Sequence, residues 1–119
     1  MSNRAQFTQA YGYGEVTNAA ADIELLAAPT GNVYLYIEKL TVSVYEAAIG
    51  EGGICQIIDT NGKVFKTINT DGVKDVNFDW GNYGIRLDDT NIGLRAVVSG
   101  AQTKQASVSI TMKGHLDNK

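Results

Sequence analysis

The 119-residue chain has little of several residue types on which particular folds and functions depend. A single cysteine, Cys55, excludes an internal disulfide, so the chain is compatible with a reducing compartment. One proline against thirteen glycines indicates many tight turns rather than a stiff linker. The chain has a single histidine, His115, and histidine is the usual base that activates a catalytic nucleophile. These absences favour a binding or structural domain over an enzyme.

Clustered positive charge and long apolar runs are also missing. The ten lysines and arginines are scattered singly and the net charge is −3, whereas nucleic-acid affinity comes mainly from neutralised phosphates. No window reaches the roughly 18 apolar residues of a membrane span. We therefore expect neither a nucleic acid nor a membrane as partner. The first six residues have no apolar run, so no secretory signal is expected, and release from a cell would follow another route such as lysis.

Alternating apolar and polar residues dominate the chain from Asp22 onward. The residues at alternate positions from 76 to 80 and from 92 to 98 show this period clearly, and turn residues recur every 8 to 12 positions. No segment has the period of a helix. The pattern predicts one all-β domain, a β-sandwich or small jelly roll of about eight mostly antiparallel strands.

Two segments give sharper structural predictions. Residues 33–47 form the longest predicted strand, whose first half is apolar on both faces. Either that strand is covered on both sides, or a β-bulge changes its phase near Glu38 and Lys39. The dipeptide Asn61-Gly62 between two β-rich runs predicts a hairpin, because both residues tolerate a positive φ.

Residues 1–20 differ from residues 21–119, which are predicted to form the single β-sandwich domain. The stretch from Ala10 to Ala20 has small residues, two tyrosines and no clear period, so we expect a flexible N-terminal arm rather than a packed strand. Two interpretations stay open. The arm is a frayed terminus, or it orders on a neighbouring subunit with Tyr11 and Tyr13 as anchors.

No catalytic, cofactor-binding or metal-binding residues are predicted. Alternation places His115 on the outward face beside Lys113, as a solvated residue, and Cys55 in an apolar strand, as a small core side chain. Asp75 and Asp79 lie roughly 13 Å apart along a strand, too far for a pair of glycosidase acids.

The loops between residues 80 and 91 leave two binding alternatives open. The run Asp88-Asp89-Thr90-Asn91 offers oxygens to a calcium ion, although these residues are also ordinary in turns. Trp80 and Tyr83 could stack on a sugar, although Trp80 also continues an apolar face.

Several segments together resemble small virion proteins of tailed bacteriophages, in particular head decoration (cement) proteins with a β-sandwich or jelly-roll fold. The resemblance covers nearly all of residues 17–114. It lies in the order and general character of the segments rather than in a diagnostic motif. The segments that carry it are Thr17–Leu26, Gly31–Ile37, Ile57–Val64, Phe78–Leu87, Leu94–Ala101 and the final strand ending at Lys113-Gly114.

The resemblance implies a structural virion protein that binds and stabilises a capsid lattice. Its expected partners are its own copies, with a trimer favoured, and the major capsid protein; its expected location is the capsid surface. Proteins of this appearance also occur as tail or fibre components, so a carbohydrate- or receptor-binding sandwich is the alternative.

Three tyrosines within the predicted domain extend the candidate interface. Tyr34, Tyr36 and Tyr45 form a possible contact patch, or else cover an open end of the sandwich. Two findings would contradict this interpretation: a helix over residues 33–47, or an acid buried beside His115 in a pocket.

Overall fold

The protein is all-β in the computed structural model, which describes residues 8–17, 21–46, 53–70, 72–100 and 106–118. Those residues contain no helix that could span a membrane. They form nine strands: β1 (Thr8–Thr17), β2 (Ala21–Leu26), β3 (Val33–Glu46), β4 (Gly53–Asp59), β5 (Val64–Asn69), β6 (Lys74–Asp79), β7 (Ile85–Arg86), β8 (Leu94–Gly100) and β9 (Ala106–Asn118).

The strands pair as a nested set that is rolled into two sheets. The antiparallel pairs β1–β9, β2–β8, β3–β6 and β4–β5 enclose one another in sequence order. The further pairs β3–β9 and β4–β8 join them into a five-stranded sheet, β1-β9-β3-β6 with β7 on β3, and a four-stranded sheet, β2-β8-β4-β5. This nesting is the topology of a jelly roll, which confirms the predicted fold class.

One hydrophobic core fills the space between the two sheets. Residues at alternate positions of facing strands turn inward and lose their exposure, as period-2 patterning predicts. The fully buried side chains include Leu35, Ile37, Leu40, Val42, Ile57, Leu94, Val98, Val108 and Ile110. Burial of these apolar groups supplies the main stabilisation of the fold.

β3, the strand whose first half is apolar on both faces, contains a β-bulge. The register with β9 shifts between Ile37 and Lys39, so Glu38 is the extra residue. The inward set therefore changes from odd to even positions at this point, as the second sequence alternative predicted. The backbone amide of Trp80 donates to the Glu38 carbonyl at 2.8 Å, which satisfies a group that the bulge removes from the ladder.

The predicted hairpin joins β4 to β5 and is confirmed. Gly62 has a φ of 93°, and the Asp59 amide donates to the Lys63 carbonyl at 2.9 Å. Asn61 is not among the described residues with a positive φ, so only one of the two residues uses that conformation. The Asp59 carboxylate accepts hydrogen bonds from the amides of Asn61 and Lys63, each at 2.9 Å, and holds the turn.

The prediction of a flexible arm is wrong for residues 8–17, which form β1 at the edge of the five-stranded sheet. Its inner positions are small, and two of them are the glycines Gly12 and Gly14. A Cβ on Gly12 would lie 2.6 Å from the Leu25 carbonyl oxygen of β2. The absence of side chains lets β1 approach β2 closely, and this tertiary contact has no period in the sequence. Residues 1–7 and 18–20 of the predicted arm lie outside the described residues.

The opposite edge, between β5 and β6, is filled by aromatic rings. Trp80 packs on Phe78 with ring centroids 5.7 Å apart and on Phe65 at 5.4 Å. Lys66 pairs in register with the buried Ile57, so its side chain starts on the inner side of β5. Its ammonium lies 4.9 Å from the Phe78 ring centroid, a cation–π contact. Trp80 is thus part of the packing rather than an exposed platform.

Candidate functional site: the outer face of the five-stranded sheet

The outer face of the five-stranded sheet carries all five tyrosines that the sequence singled out. We call this surface the tyrosine face. Rows across β1, β9, β3 and β6 follow from the register: Tyr11-Lys113-Lys39-Asp79, Tyr13-Thr111-Thr41-Asn77 and Glu15-Ser109-Ser43-Asp75, with Tyr45 beside Ser107 in the next row.

Tyrosines at the two sides of this face remain open to solvent. Tyr11, Tyr13 and Tyr45 are 65%, 61% and 57% exposed. Between them lie serine and threonine side chains of β9 and β3, which offer hydroxyl groups without formal charge. Tyrosine beside serine is the composition of antibody binding loops, in which the rings supply contact area at a low cost in rotamer entropy.

Hydrogen bonds within the tyrosine face hold several of its groups in place. The Glu15 carboxylate accepts from Tyr13 at 3.3 Å and from Ser109 at 3.2 Å. Thr41 donates to the Asn77 amide oxygen at 2.9 Å. A surface ordered before binding loses less entropy when a partner arrives.

Tyr34 and Tyr36 behave differently from the other three tyrosines, since they are only partly exposed. The Arg86 guanidinium lies 4.3 Å from the Tyr34 ring centroid. Tyr36 stacks on His115, with ring centroids 4.9 Å apart and 9° between the planes. Both rings therefore contact other groups within the molecule. Whether they also contact another chain stays a prediction.

The prediction of a solvated His115 is wrong. His115 does lie on the outward side of β9, but it is only 4% exposed. The Tyr36 ring lies on its imidazole, and its Nδ1 is 2.7 Å from Oε2 of Glu38, which is 5% exposed. Alternation gave the correct side of the strand but not what covers that side. We call Tyr36, Glu38 and His115 the histidine brace.

The bulge explains how the acid reaches the histidine. As the extra residue of β3, Glu38 projects beside the Tyr36–His115 pair instead of into the core. Gly114 makes room opposite the bulge, since a Cβ there would lie 2.2 Å from the Tyr36 carbonyl oxygen. Lys113 adds a cation, with its Nζ 3.9 Å from Glu38 Oε1. The buried carboxylate is therefore hydrogen-bonded with His115, and the nearby Lys113 cation helps to offset its charge.

The buried Glu38 beside His115 is one of the two findings that would contradict the sequence interpretation. An imidazole oriented by a carboxylate is the arrangement that creates a general base. In this protein, however, the imidazole bonds Glu38 through one nitrogen and lies against Tyr36 on one face. His115 is only 4% exposed, which leaves a substrate little access to it. That the protein is not an enzyme stays a prediction.

A depression of about 480 Å³ lies next to the brace, lined by Tyr36, Asn82, Tyr83, Gly84, His115 and Asp117. Tyr83 is 91% exposed and stands on a turn whose glycines at 81 and 84 both have a φ of 75°. Asn82 and Asp117 add an amide and a carboxylate. The acid that lines this depression is Asp117.

The acidic turn at residues 88–91 is occupied by interactions within the protein. Asp88 accepts a hydrogen bond from Lys63, and that bond, together with the charge of Asp88, raises the pKa of the lysine. Asn91 has a φ of 58° and accepts hydrogen bonds from the amides of Asn32 and Val33 at 3.1 and 3.3 Å. Among the described residues, no three histidine, cysteine or acidic side chains are grouped to hold a metal ion.

Cys55 is buried on β4, as predicted for a small core residue. Burial raises the pKa of its thiol from 9.0 to about 11, because the thiolate is poorly solvated there. The group therefore stays protonated at neutral pH and reacts slowly.

Sequence reasoning missed Glu38, Asn82 and Asp117 as members of a site. One signal was available for Glu38, since it is the acidic residue at which the apolar phase of β3 changes. No comparable signal existed for Asp117, which reaches the depression only because β9 pairs with β3.

No protein-family model and no curated protein matches the chain. Similar solved structures include a protein of the disulfide-linked pili of Bacillus endospore appendages, at 12% identity over 96% of this chain and 90% of that chain, with a TM-score of 0.49. The coat protein of Tobacco streak virus has 10% identity over 90% and 85% of the two chains and a TM-score of 0.38. An arabinose-bound α-L-arabinofuranosidase has 9% identity over 93% and 23%, also with a TM-score of 0.38. Likenesses at this level do not bear on function.

Proposed function

We propose that the protein is a structural component of an assembled particle and attaches to a protein lattice through the tyrosine face. The observation that carries the proposal is the trio of exposed rings, Tyr11, Tyr13 and Tyr45, around ordered serine and threonine hydroxyls. Aromatic residues dominate the binding energy of protein interfaces, and small hydroxylic neighbours adapt to the partner. In this role the histidine brace stiffens the sheet and catalyses nothing.

The finer proposal is a head decoration protein of a tailed bacteriophage, located on the capsid surface with the major capsid protein as partner. The resemblance of the sequence segments to that class supports it, and so does a rigid jelly roll with one hydroxyl-rich face. An extended sheet face of this kind suits a junction between lattice subunits better than it suits a small ligand.

Co-sedimentation with procapsids tests the attachment. We expect Tyr45→Ser to weaken binding about tenfold, since truncation of an interface aromatic costs about 1–2 kcal/mol. Thr111→Arg, which places a large cation among the hydroxyls, should abolish it. The matched control is Tyr83→Ser, an exposed tyrosine off the tyrosine face, which should bind like the wild type. Equal binding by all three variants would exclude the tyrosine face as the attachment surface.

A second candidate function, saccharide binding, is favoured by the depression beside Tyr83. An exposed ring held on a turn, with an amide and a carboxylate within the same depression, offers both an apolar platform and hydroxyl-binding groups. Titration with monosaccharides followed by NMR should then show shifts that Tyr83→Ala removes and Tyr45→Ser leaves. A signal that survives Tyr83→Ala would place the sugar elsewhere.

A further inference from the structure

The four lateral strands of the two sheets differ sharply in how well they resist pairing with another chain. An edge strand presents unpaired N–H and C=O groups, and most proteins protect such edges with charges, bulges, prolines or short length. In the described part of the chain, the lateral strands are β1 and β6 in one sheet and β2 and β5 in the other.

Three of these strands carry such protection. The six-residue β2 has two exposed acids, Asp22 and Glu24, and a register shift after Glu24. The six-residue β5 carries Lys66 on its inner side and pairs with β4 across another shift. The six-residue β6 contains three charged residues, Lys74, Asp75 and Asp79.

The ten-residue β1 has none of these protections. Its pairing with β9 runs without a shift from Thr8 to Thr17, and the strand contains no proline and one charged residue, Glu15. Its outward side chains include the exposed Tyr11 and Tyr13. Of the four lateral strands, β1 is thus the one whose length, straightness and low charge favour pairing with another strand.

We propose that β1 pairs antiparallel with β1 of a second copy of this chain, about a two-fold axis at Gly12, to give one continuous sheet across a dimer. A strand of this composition is complementary to itself in that register. Tyr11 lies opposite Tyr13 of the second copy, which creates two cross-strand aromatic pairs. Glu15 lies opposite Gln9 of the second copy, so the single charge of the strand meets an amide and not its own copy.

The register is also compatible with the packing on the inner side of the sheet. Directly opposed residues of an antiparallel pair share a face, so residues on the inner side must meet residues on the inner side. With the axis at Gly12, Ala10 lies opposite Gly14 of the second copy, and both are small. A two-fold edge pairing closes as a dimer, in place of the trimer that the phage resemblance implies.

The proposed dimer does not depend on attachment of the protein to a lattice. The dimer brings Tyr11 and Tyr13 of both copies together at the middle of a doubled tyrosine face. A monomer that binds procapsids would overturn the dimer and leave the proposed function intact. A dimer that does not bind procapsids would overturn the proposed function and leave the dimer intact.

Sedimentation equilibrium of the full chain and a charge series test the pairing. The wild type should sediment as a dimer and Y11E/Y13E as a monomer, because the register sets acid against acid. Y11E/Y13K should recover the dimer, because each acid then faces a lysine. Tyr45→Glu, on the inner strand β3, is the control and should remain dimeric. A monomeric or trimeric wild type, or no difference between the two double variants, would overturn the proposal.

Oxidative cross-linking tests the register itself. Positions 9 and 15 are roughly 20 Å apart along one strand but directly opposed between copies. Q9C/E15C should form a disulfide-linked dimer, whereas Q9C, E15C and Y13C alone should not. The buried Cys55 thiol, with its raised pKa, does not compete. Cross-linking of Y13C alone would shift the axis to position 13 and overturn the register, as would equal yields from all variants.

Discussion

The two edges of the sandwich close by opposite means. At the β1–β2 edge the sheets meet because Gly12 and Gly14 have no side chains: Gly12 lies against the Leu25 backbone, and Gly14 lies against the Ile23 side chain. At the β5–β6 edge they are held apart and filled by Phe65, Phe78 and Trp80 under Lys66. The first edge depends on the exact size of a residue and leaves an unprotected strand. At the second edge the side chains can adjust to a change in size, and the inward charge of Lys66 protects β5.

The largest effect is expected from Gly12→Ala. The added Cβ would lie 2.6 Å from the Leu25 carbonyl oxygen, and backbone cannot move aside without separating the sheets. We expect the free energy of unfolding to fall by about 3 kcal/mol. Denaturation with urea, followed by tryptophan fluorescence, measures it.

Gly14→Ala is the matched control, because its Cβ would meet the end of the Ile23 side chain at 2.4 Å, which can rotate. If the two alanines cost the same, close backbone approach is not what closes this edge.

Trp80→Ala should have a smaller effect at the other edge. Trp80 is half-buried, and its loss removes the two ring contacts while the neighbouring rings and the Lys66 stem can relax into the space. We expect a loss of about 2 kcal/mol, below the range for a fully buried tryptophan. Calorimetric unfolding measures it, with the exposed Tyr83→Ala as control near zero. A loss larger than that of Gly12→Ala would reverse the comparison.

Compared with Gly12→Ala and Trp80→Ala, Lys66→Gln should change the free energy of unfolding least and solubility most. The cation–π contact with Phe78 contributes about 0.5–1 kcal/mol at a partly exposed site. Loss of the inward charge removes the protection of β5, so light scattering on heating should show earlier aggregation. Lys39→Gln, which removes an exposed lysine 4.0 Å from Asp79, is the comparison that should aggregate like the wild type.

The relation between sequence and structure differs from element to element. β3 could be predicted as a strand, and its bulge as one of two alternatives, because a change in apolar phase is a local signal. The β4–β5 hairpin followed from Asn61-Gly62 in the same way. β1 could not be assigned as a strand, because the glycines that define it serve a contact with β2, a different segment of the chain. His115 was assigned to the correct side of β9 and to the wrong environment for the same reason.

What the sequence alone determines here is the all-β class, most of the strands and the set of inward side chains, since each depends on the spacing of apolar residues along one strand. Which outward residues are covered, which edge stays open and how five tyrosines come to share one face are decided by the tertiary structure. The physical reason is that exposure depends on neighbours across the sheet and between sheets. The nested pairing of distant strands supplies those neighbours, and no local pattern contains it.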